Sequence, residues 1–214
     1  MTHGVGPKAD HFAADAASTV EALTEQTTAA AIGPGIGRAD ATIDFVESVY
    51  RACKRPMVCD ADALYALAER KASIEEPGGI RILTPHPGEF ARLAGNVPTE
   101  SERSSAAADL ARRDASGNTI VVLKGHQTVV SDGQRYSVNG TGNPGMATGG
   151  SGDVLTGIIT ALLCQGLAPF DAARLGVHVH GLSGDLAAEE LGQVSMIASD
   201  LIDYLPKAFQ AVIG

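Results

Sequence analysis

The chain has 214 residues, of which 44% are hydrophobic and 19% charged, a composition that suits one globular domain with a sizeable core. Sixteen Lys and Arg against 25 Asp and Glu give a formal net charge of −9, which argues against nucleic acid or an anionic membrane as partner. No stretch approaches the roughly 20 apolar residues that span a bilayer, and the N-terminus lacks the order of a secretory signal. We therefore expect a cytoplasmic protein.

The N-terminal segment gives weak signals. Residues 1–8 carry no periodicity, and we expect them to be disordered or a processed edge. The stretch from Asp10 to Gln26 predicts a helix, because Phe12, Ala16, Val20 and Leu23 would share one face.

Short apolar runs that end in Gly, Pro or Asp, followed by helical periodicity, are typical of parallel strands that feed crossover helices. Three runs of this kind predict strands at Ala29–Ile32, Met57–Cys59 and Ile82–Leu83. After the first strand, Ile43, Val46 and Tyr50 mark an amphipathic helix. Asp40 or Thr42 is available as its N-cap.

The second half of the chain predicts a helix, three strands and then a helical region. Residues 101–115 are Ala-rich and end in basic side chains before a Gly, as helices do. Asp132-Gly133 is a strong hairpin dipeptide, so this end of the sheet is expected to be antiparallel. The predicted strands are Thr119–Leu123, Thr128–Ser131 and Arg135–Val138, and the later helices lie near 153–165, 169–190 and 199–212.

Cysteine and histidine spacing does not indicate a metal site or a disulfide framework. Cys53, Cys59 and Cys164 form no C-x-x-C pair, and we expect them to be small buried hydrophobic residues. His178 and His180 lie two apart in a predicted helix and so do not share a face. We expect them to pack in the core.

The richest segment runs from Asn139 to Asp153 and contains six glycines in fifteen residues. Glycine allows a close approach of the backbone, so that N–H groups at a helix N-terminus can converge on a phosphate. Asp153 would then be a carboxylate base beside that phosphate. The alternative is a tight turn in which Asp153 only caps the helix. The segment is not a Walker A loop, because no Gly-Lys-Ser/Thr follows at the required spacing.

This segment, read as G-N-P-G-M-A-T-G-G-S-G-D-V-L-T-G-I-I, resembles the signature of the ADP/ATP-dependent NAD(P)H-hydrate dehydratases, a branch of the ribokinase-like superfamily. Four further blocks resemble the family in the right order, at Ala31–Arg38, Asp60–Leu64, Leu83–Glu89 and Val121–Gly125. Serine stands at 151 where the family commonly has threonine, which keeps the hydroxyl. The resemblance implies a three-layer α/β/α fold with a mainly parallel central sheet, an antiparallel edge and helices on both faces.

The resemblance also implies roles for individual residues. Asp153 would be the catalytic acid/base and would touch the hydrated nicotinamide. The other substrate-binding residues would be Gly35, Gly37, His86 and Asn143. The nucleotide phosphates would contact two segments, Lys124, Gly125, His126, Gln127 and Thr128 in the first and Gly149, Gly150, Ser151 and Gly152 in the second.

Four of the polar residues at strand ends have an alternative interpretation. His86 lies between two prolines that fix the backbone, although a turn histidine is usually only solvated. Lys124 could neutralise a phosphate, or it could be an exposed surface charge. Asp60 and Asp62 could hold Mg²⁺ through water, but we favour Asp62 as the N-cap of a helix beginning near Ala63.

The resemblance implies a hydro-lyase that repairs hydrated NADH and NADPH (NADHX and NADPHX), with ADP or ATP as co-substrate and Mg²⁺. Two alternatives remain open: a kinase of the same fold that acts on a hydroxymethylpyrimidine or hydroxyethylthiazole, and a nucleotide-binding module without catalysis. The partners implied are the substrate, the nucleotide and an NAD(P)H-hydrate epimerase of the same pathway.

We expect residues 1–214 to form a single domain that is short at its N-terminus. Members of the family usually carry another strand and helix before the block at Ala31–Arg38, whereas only 28 residues precede Ala29 here. A shortened sheet edge exposes unpaired backbone groups, which favours a homo-oligomer.

Overall fold

The computed structural model of the protein describes Phe12 and residues 16–214. Its centre is a six-stranded sheet in which the strands follow one another in chain order. The first four strands are parallel and the last two are antiparallel to their neighbours. The strands are β1 (Ala30–Ile32), β2 (Met57–Cys59), β3 (Arg81–Leu83), β4 (Thr119–Leu123), β5 (Val129–Ser131) and β6 (Tyr136–Val138).

Eight α-helices surround the sheet within the described residues. They are α1 (Ala16–Thr24), α2 (Asp40–Ala52), α3 (Asp62–Glu69), α4 (Pro87–Ala94), α5 (Arg103–Ala111), α6 (Ser151–Cys164), α7 (Pro169–Leu191) and α8 (Ala198–Ile213). Short 3₁₀ turns lie at Lys71–Glu75, Glu100–Glu102 and Pro144–Met146. Within residues 16–214, none of the helices is long and apolar enough to cross a membrane.

The alternation of side chains along each buried strand forms two hydrophobic cores, one on each face of the sheet. Val121 and Leu123 of β4 pack into the core that also holds α2, α3, α4 and α5. Ile120 and Val122 face the other way and pack against α6 and α7. The predicted three-layer fold with an antiparallel edge is therefore confirmed.

The predicted strands are confirmed to within a residue or two at their ends, and the N-terminal helix is confirmed only as α1. Residues 1–8, predicted to be disordered or a processed edge, lie outside the described residues. The helix predicted to begin near Ala63 is α3, which begins at Asp62, and α4 was not predicted. The predicted caps of α2 are wrong, because Ala39 is the N-cap and both Asp40 and Thr42 lie inside the helix.

The cysteine prediction holds for two of the three side chains. Cys53 and Cys59 are buried in the core, and burial raises the pKa of the Cys59 thiol to about 12. Cys164 is exposed, because it is the last residue of α6 and lies on the outer side of that helix.

Candidate active site

The candidate site lies at one edge of the sheet, where the carboxyl ends of β1 to β4 meet. In an open sheet of parallel strands, this edge is the usual place for a ligand. The carboxyl end of each strand lies in, or directly before, one of the predicted blocks, which are Ala31–Arg38, Asp60–Leu64, Leu83–Glu89 and Val121–Gly125. The N-terminus of α6, which is distant from these strands in the sequence, lies at the same edge, because Thr156 of its second turn contacts Asp60.

Lys124 is the cation of this edge. Its Nζ lies 2.8 Å from Oδ1 of Asp60 and 3.9 Å from Oε2 of Glu89, and its side chain is 19% exposed. The other carboxylate oxygen of Asp60 accepts a hydrogen bond from the Thr156 hydroxyl at 3.0 Å. The interpretation of Lys124 as an exposed surface charge is therefore wrong: it is mostly buried and paired with a buried carboxylate.

The first turn of α6 lies directly beside this lysine. A Cβ atom placed on Gly152 would lie 3.1 Å from Nζ of Lys124 and 3.5 Å from Oδ2 of Asp60, so a larger residue would crowd the pair. Gly150 is the N-cap and has a left-handed backbone, with φ of 90°, which favours glycine. The first N–H groups of any helix have no partner within it, and here they face the same region as a lysine.

Asp153 lies in the first turn of α6, as predicted. Its side chain is exposed, and among the residues that the structure describes it makes no hydrogen bond or ion pair. The alternative in which Asp153 caps the helix is therefore wrong, because Gly150 occupies the cap position and no side chain caps this end. A carboxylate without a protein partner at a helix N-terminus is available to accept a proton from a ligand.

Helix α7 holds the glycine-rich segment in place. Asp185 accepts hydrogen bonds from the backbone N–H of Gly142 at 2.8 Å and from Nδ2 of Asn143 at 3.0 Å. The Thr141 hydroxyl donates to the carbonyl oxygen of His178 at 2.9 Å. Oδ1 of Asn143 accepts from Gly145 N–H, so both polar groups of the Asn143 side chain are already used.

His180 of the same helix contacts the start of α6. Its Nε2 lies 2.9 Å from the carbonyl oxygen of Ser151 and 3.3 Å from the Ser151 hydroxyl. Because a carbonyl only accepts, this nitrogen carries the proton. Desolvation, together with the charge of Lys124, lowers the pKa of His180 to about 4, so the ring is neutral at physiological pH. His180 is thus a hydrogen-bonding residue as well as a packing residue.

His86 is the N-cap of α4, a role that the sequence did not predict. Its Nδ1 accepts hydrogen bonds from the N–H groups of Gly88 and Glu89, at 3.0 and 3.4 Å. Oε2 of Glu89 accepts in return from the His86 N–H at 2.8 Å, which completes a capping box. The imidazole is 55% exposed, and its Nε2 lies 3.5 Å from Oε1 of Glu89.

Asp62 fixes the loop that follows β1, and the prediction that it caps α3 is wrong. Its Oδ2 accepts from the Gly37 N–H at 3.0 Å, and its Oδ1 accepts from Nε of Arg38 at 2.7 Å. The N-cap of α3 is Ala61, whose φ of 48° is unusual for a residue with a side chain. This turn sends Asp60 toward Lys124 and Asp62 toward Gly37.

The structure brings some of the predicted residues together and leaves others apart. Lys124 and Gly152 are direct neighbours. Thr128 makes its hydrogen bond within its own loop, where its hydroxyl donates to the Gly125 carbonyl at 3.0 Å. His126 and Gln127 are exposed on that loop. The roles predicted for the individual residues remain predictions.

Sequence reasoning missed three residues that shape the site, Thr156, His180 and Asp185. Each acts through hydrogen bonds to residues distant in the chain, and no local pattern marks such bonds. Glu89 could have been found, because a polar residue followed three positions later by Glu is the pattern of a capping box.

The sequence of this chain is similar to those of known proteins. The model of the NAD(P)H-hydrate dehydratase family matches residues 5–207. The bifunctional NAD(P)H-hydrate repair enzyme Nnr of Moorella thermoacetica is 49% identical over 180 residues, covering 82% of this chain and 33% of that protein. Its counterpart in Vibrio cholerae is 45% identical over 185 residues, covering 86% of this chain and 36% of that protein. The chain thus spans about a third of the length of these relatives.

The structure is also similar to solved structures of other proteins. The ADP/ATP-dependent NAD(P)H-hydrate dehydratase of Bacillus subtilis, co-crystallized with ATP/Mg²⁺, superposes with a TM-score of 0.77 at 36% identity, covering 87% of this chain and 66% of that one. A hydroxyethylthiazole kinase from Pyrococcus horikoshii superposes with a TM-score of 0.72 at 22% identity, covering 89% of this chain and 75% of that one. This second likeness shows a shared fold alone.

Proposed function

Because this chain belongs to the NAD(P)H-hydrate dehydratase family, we propose that it catalyses the ADP- or ATP-dependent dehydration of hydrated NADH and NADPH. The observation that carries the proposal is the position of three groups at one sheet edge. The first turn of α6 offers N–H groups, Lys124 offers an ammonium beside Gly152, and Asp153 offers a carboxylate that has no hydrogen bond or ion pair with any other described residue. Together they suit a phosphoryl group and an attacking hydroxyl.

In the proposed reaction, the ring hydroxyl of the hydrate attacks the terminal phosphoryl group of the nucleotide. Asp153 takes the hydroxyl proton as the new oxygen–phosphorus bond forms and the nucleotide leaves with one phosphate fewer. Electrons of the ring nitrogen then expel inorganic phosphate, and a proton leaves the neighbouring ring carbon. The dihydronicotinamide is restored and the water has been removed as phosphate.

The nucleotide would lie between the loop after β4 and the first turn of α6. Lys124 and the N–H groups of the helix would hold the charge of the transferring phosphoryl oxygens, which is the main catalytic task in such transfers. The residues proposed for the nucleotide are Lys124, Gly125, His126, Gln127, Thr128, Gly149, Gly150, Ser151 and Gly152. A cavity of about 320 Å³ between β5, β6 and α7, lined in part by Asn139 and His178, includes none of these residues in its lining.

The donor groups present also suit Mg²⁺, which the resemblance implies. The described residues contain no cluster of three or more His, Cys, Asp or Glu side chains that could hold a metal ion. Mg²⁺ usually keeps its waters and binds through substrate phosphates and one or two carboxylates, so such a cluster is not required. Glu89, whose Oε2 lies 3.9 Å from Nζ of Lys124 and whose Oε1 lies 3.5 Å from Nε2 of His86, is proposed to offer one carboxylate oxygen. The ion would neutralise phosphate charge when bound.

The hydrated nicotinamide would face Asp153 from the loops that follow β1 and β3. Gly35 and Gly37 are proposed to contact it, since Asp62 fixes their loop at the same edge. His86 is proposed to donate to it from Nε2, which in the free protein lies 3.5 Å from Oε1 of Glu89. Asn143 is proposed to contact the substrate through its backbone, because its side chain is engaged by Asp185 and Gly145.

We further propose that residues 1–214 form one domain around the single sheet, in a cytoplasmic homo-oligomer. The relatives named as bifunctional are about three times as long as the segment that they share with this chain. An epimerase of the hydrates is the partner proposed for this activity.

The proposal is tested by following the return of dihydronicotinamide absorbance from hydrated NADH and hydrated NADPH with ADP or ATP present. We expect recovery with at least one nucleotide, and phosphate release equal to the amount of substrate repaired. Phosphorylation of a thiazole or pyrimidine alcohol without hydrate repair would instead favour the kinase. Nucleotide binding without either reaction would favour a non-catalytic module.

A further inference from the structure

We propose that Asp60 is a positioning residue that aims the ammonium of Lys124 at the phosphate of the bound nucleotide. Asp60 directly follows β2 and is buried, with 1% of its surface exposed. Its two carboxylate oxygens contact two different elements: Oδ1 contacts Lys124 and Oδ2 contacts Thr156 of α6. One side chain therefore ties the end of β2 to the end of β4 and to the start of α6.

The contacts of Lys124 show why its direction is restricted. Its backbone N–H donates to the Pro85 carbonyl at 2.8 Å, and its own carbonyl accepts from Arg103 at 3.2 Å, so the main chain is fixed at both sides. An ammonium has three donors. One is used by Asp60, and Glu89 attracts a second from 3.9 Å. The third is left for the side on which Gly152 lies.

Gly152 shows that the space beside this ammonium is kept open. A Cβ atom at that position would lie 3.1 Å from Nζ, which is tighter than an ordinary contact. The first-turn N–H groups of α6 and the ammonium can therefore approach one anion from adjacent directions. Without Asp60, the long and flexible lysine side chain would have several rotamers in place of this single one.

The direct charge of Asp60 acts in the opposite sense, because a carboxylate repels phosphate. Loss of that charge by itself favours nucleotide binding, whether or not a lysine is present at 124. A change in affinity that depends on the presence of Lys124 therefore reports positioning and not the bare charge. The inference rests on the proposed function only in taking the ligand to be ADP or ATP.

The test is a double-mutant cycle on the Kd for ATP with Mg²⁺, measured by isothermal titration calorimetry on the whole chain. The variants are Asp60→Asn, Lys124→Met and the two combined. In each background, the effect of Asp60→Asn is the Kd with this substitution divided by the Kd without it. We expect this effect to be about tenfold larger in the wild-type background than in the Lys124→Met background, a coupling typical of residues in contact. Melting temperatures of all variants show that each one is folded.

Asp114→Asn is the matched control. Asp114 is equally buried, and its oxygens accept hydrogen bonds from residues 116, 118 and 119, but it precedes β4 and so lies at the opposite edge of the sheet. We expect this variant to lose stability while its Kd for ATP is unchanged. An equal effect of Asp60→Asn on Kd in the two backgrounds, or an equal change of Kd in the control variant, would overturn the positioning role. The proposed function would still stand if the wild type repairs the hydrate. A wild-type chain that binds neither ATP nor ADP would contradict both.

Discussion

Lys124, which follows β4, and Asp60, which follows β2, form a buried ion pair that is expected to stabilise the fold. Removing the cation leaves a buried carboxylate whose remaining side-chain hydrogen bond, among the described residues, comes from Thr156. We expect Lys124→Met to lower the free energy of unfolding by about 1–3 kcal/mol, the usual cost of leaving a buried polar group without its partner. Urea denaturation measures it.

The matched control for this variant is Lys207→Met. Lys207 pairs with Glu190 at 3.4 Å on the surface, where both side chains are more than 60% exposed. Pairs of this kind are screened by solvent, so no resolvable loss is expected. Equal losses in the two lysine variants would mean that the Asp60 pair is energetically no different from a surface pair.

His180 predicts a pH dependence of stability. Its pKa is about 4 in the folded protein, below the ordinary value near 6.5, so the unfolded chain binds the proton more tightly. The stability linked to this ring is therefore present above about pH 6.5 and is lost as the pH falls toward 4, at no more than about 1.4 kcal/mol per pH unit.

The measurement is the free energy of unfolding of wild type and His180→Gln between pH 7 and pH 4. Glutamine can still donate to the Ser151 carbonyl but does not titrate. The variant should lose less stability than wild type over this range, whereas His126→Gln, at an exposed position, should behave as wild type does. Parallel curves for wild type and His180→Gln would show that His180 is not held neutral.

Residue identities were predicted from the sequence far better than residue contacts. The glycine-rich segment, His86, Lys124 and Asp153 stood out because motifs are local in the chain. The bonds Asp60–Thr156 and Gly142–Asp185 join positions 96 and 43 residues apart, and no spacing rule marks them. Asp62 was assigned to a cap for the same reason, since its real partners lie near Gly37.

At the scale of elements, strands were predictable and some helices were not. The first four strands are short and mainly apolar, and each is followed within two residues by Gly33, Asp60, Pro85 or Lys124, which is a strong local signal. Helix α4 was missed because it has only eight residues, opens on Pro87 and uses histidine as its cap, which is an unusual N-cap residue. Its start became visible only through the contacts between His86 and Glu89.

Helix α7 and the glycine-rich segment form one structural unit, which predicts a local effect of Asp185→Ala. Removal of the carboxylate frees the Gly142 N–H and the Asn143 side chain. We expect amide hydrogen exchange in residues 139–150 to become at least about tenfold faster, while exchange in the sheet is unchanged, because the opening is local.

Glu189→Ala serves as the control for this exchange measurement. Glu189 is exposed one turn further along α7. Its loss should leave residues 139–150 as protected as in wild type. Unaltered exchange after Asp185→Ala, or an equal rise throughout the sheet, would contradict the view that Asp185 anchors this segment.

At the scale of the whole molecule, the topology explains why distant motifs form one site. Four parallel strands in chain order place their carboxyl ends in a row, so the loops that begin at Gly33, Asp60, Thr84 and Lys124 become neighbours. Helix α6 then returns across the other face and brings its N-terminus to the same edge. The fold class followed from the strand pattern and the family resemblance, and the structure confirms it.

The central claim is that Asp153 is the acid/base of a nucleotide-dependent dehydration, and its most direct test is the rate of hydrate repair by Asp153→Asn. Asp171→Asn is the matched control. Asp171 is also an acidic residue in the first turn of a helix, and its side chain is 45% exposed. It differs in position, because α7 begins near the end of α6, at the edge of the sheet opposite the site. We expect kcat to fall by about 10²- to 10⁴-fold in the first variant, as for loss of a general base, and to be unchanged in the second. An Asp153→Asn enzyme that repairs hydrated NADH at the wild-type rate would contradict the claim.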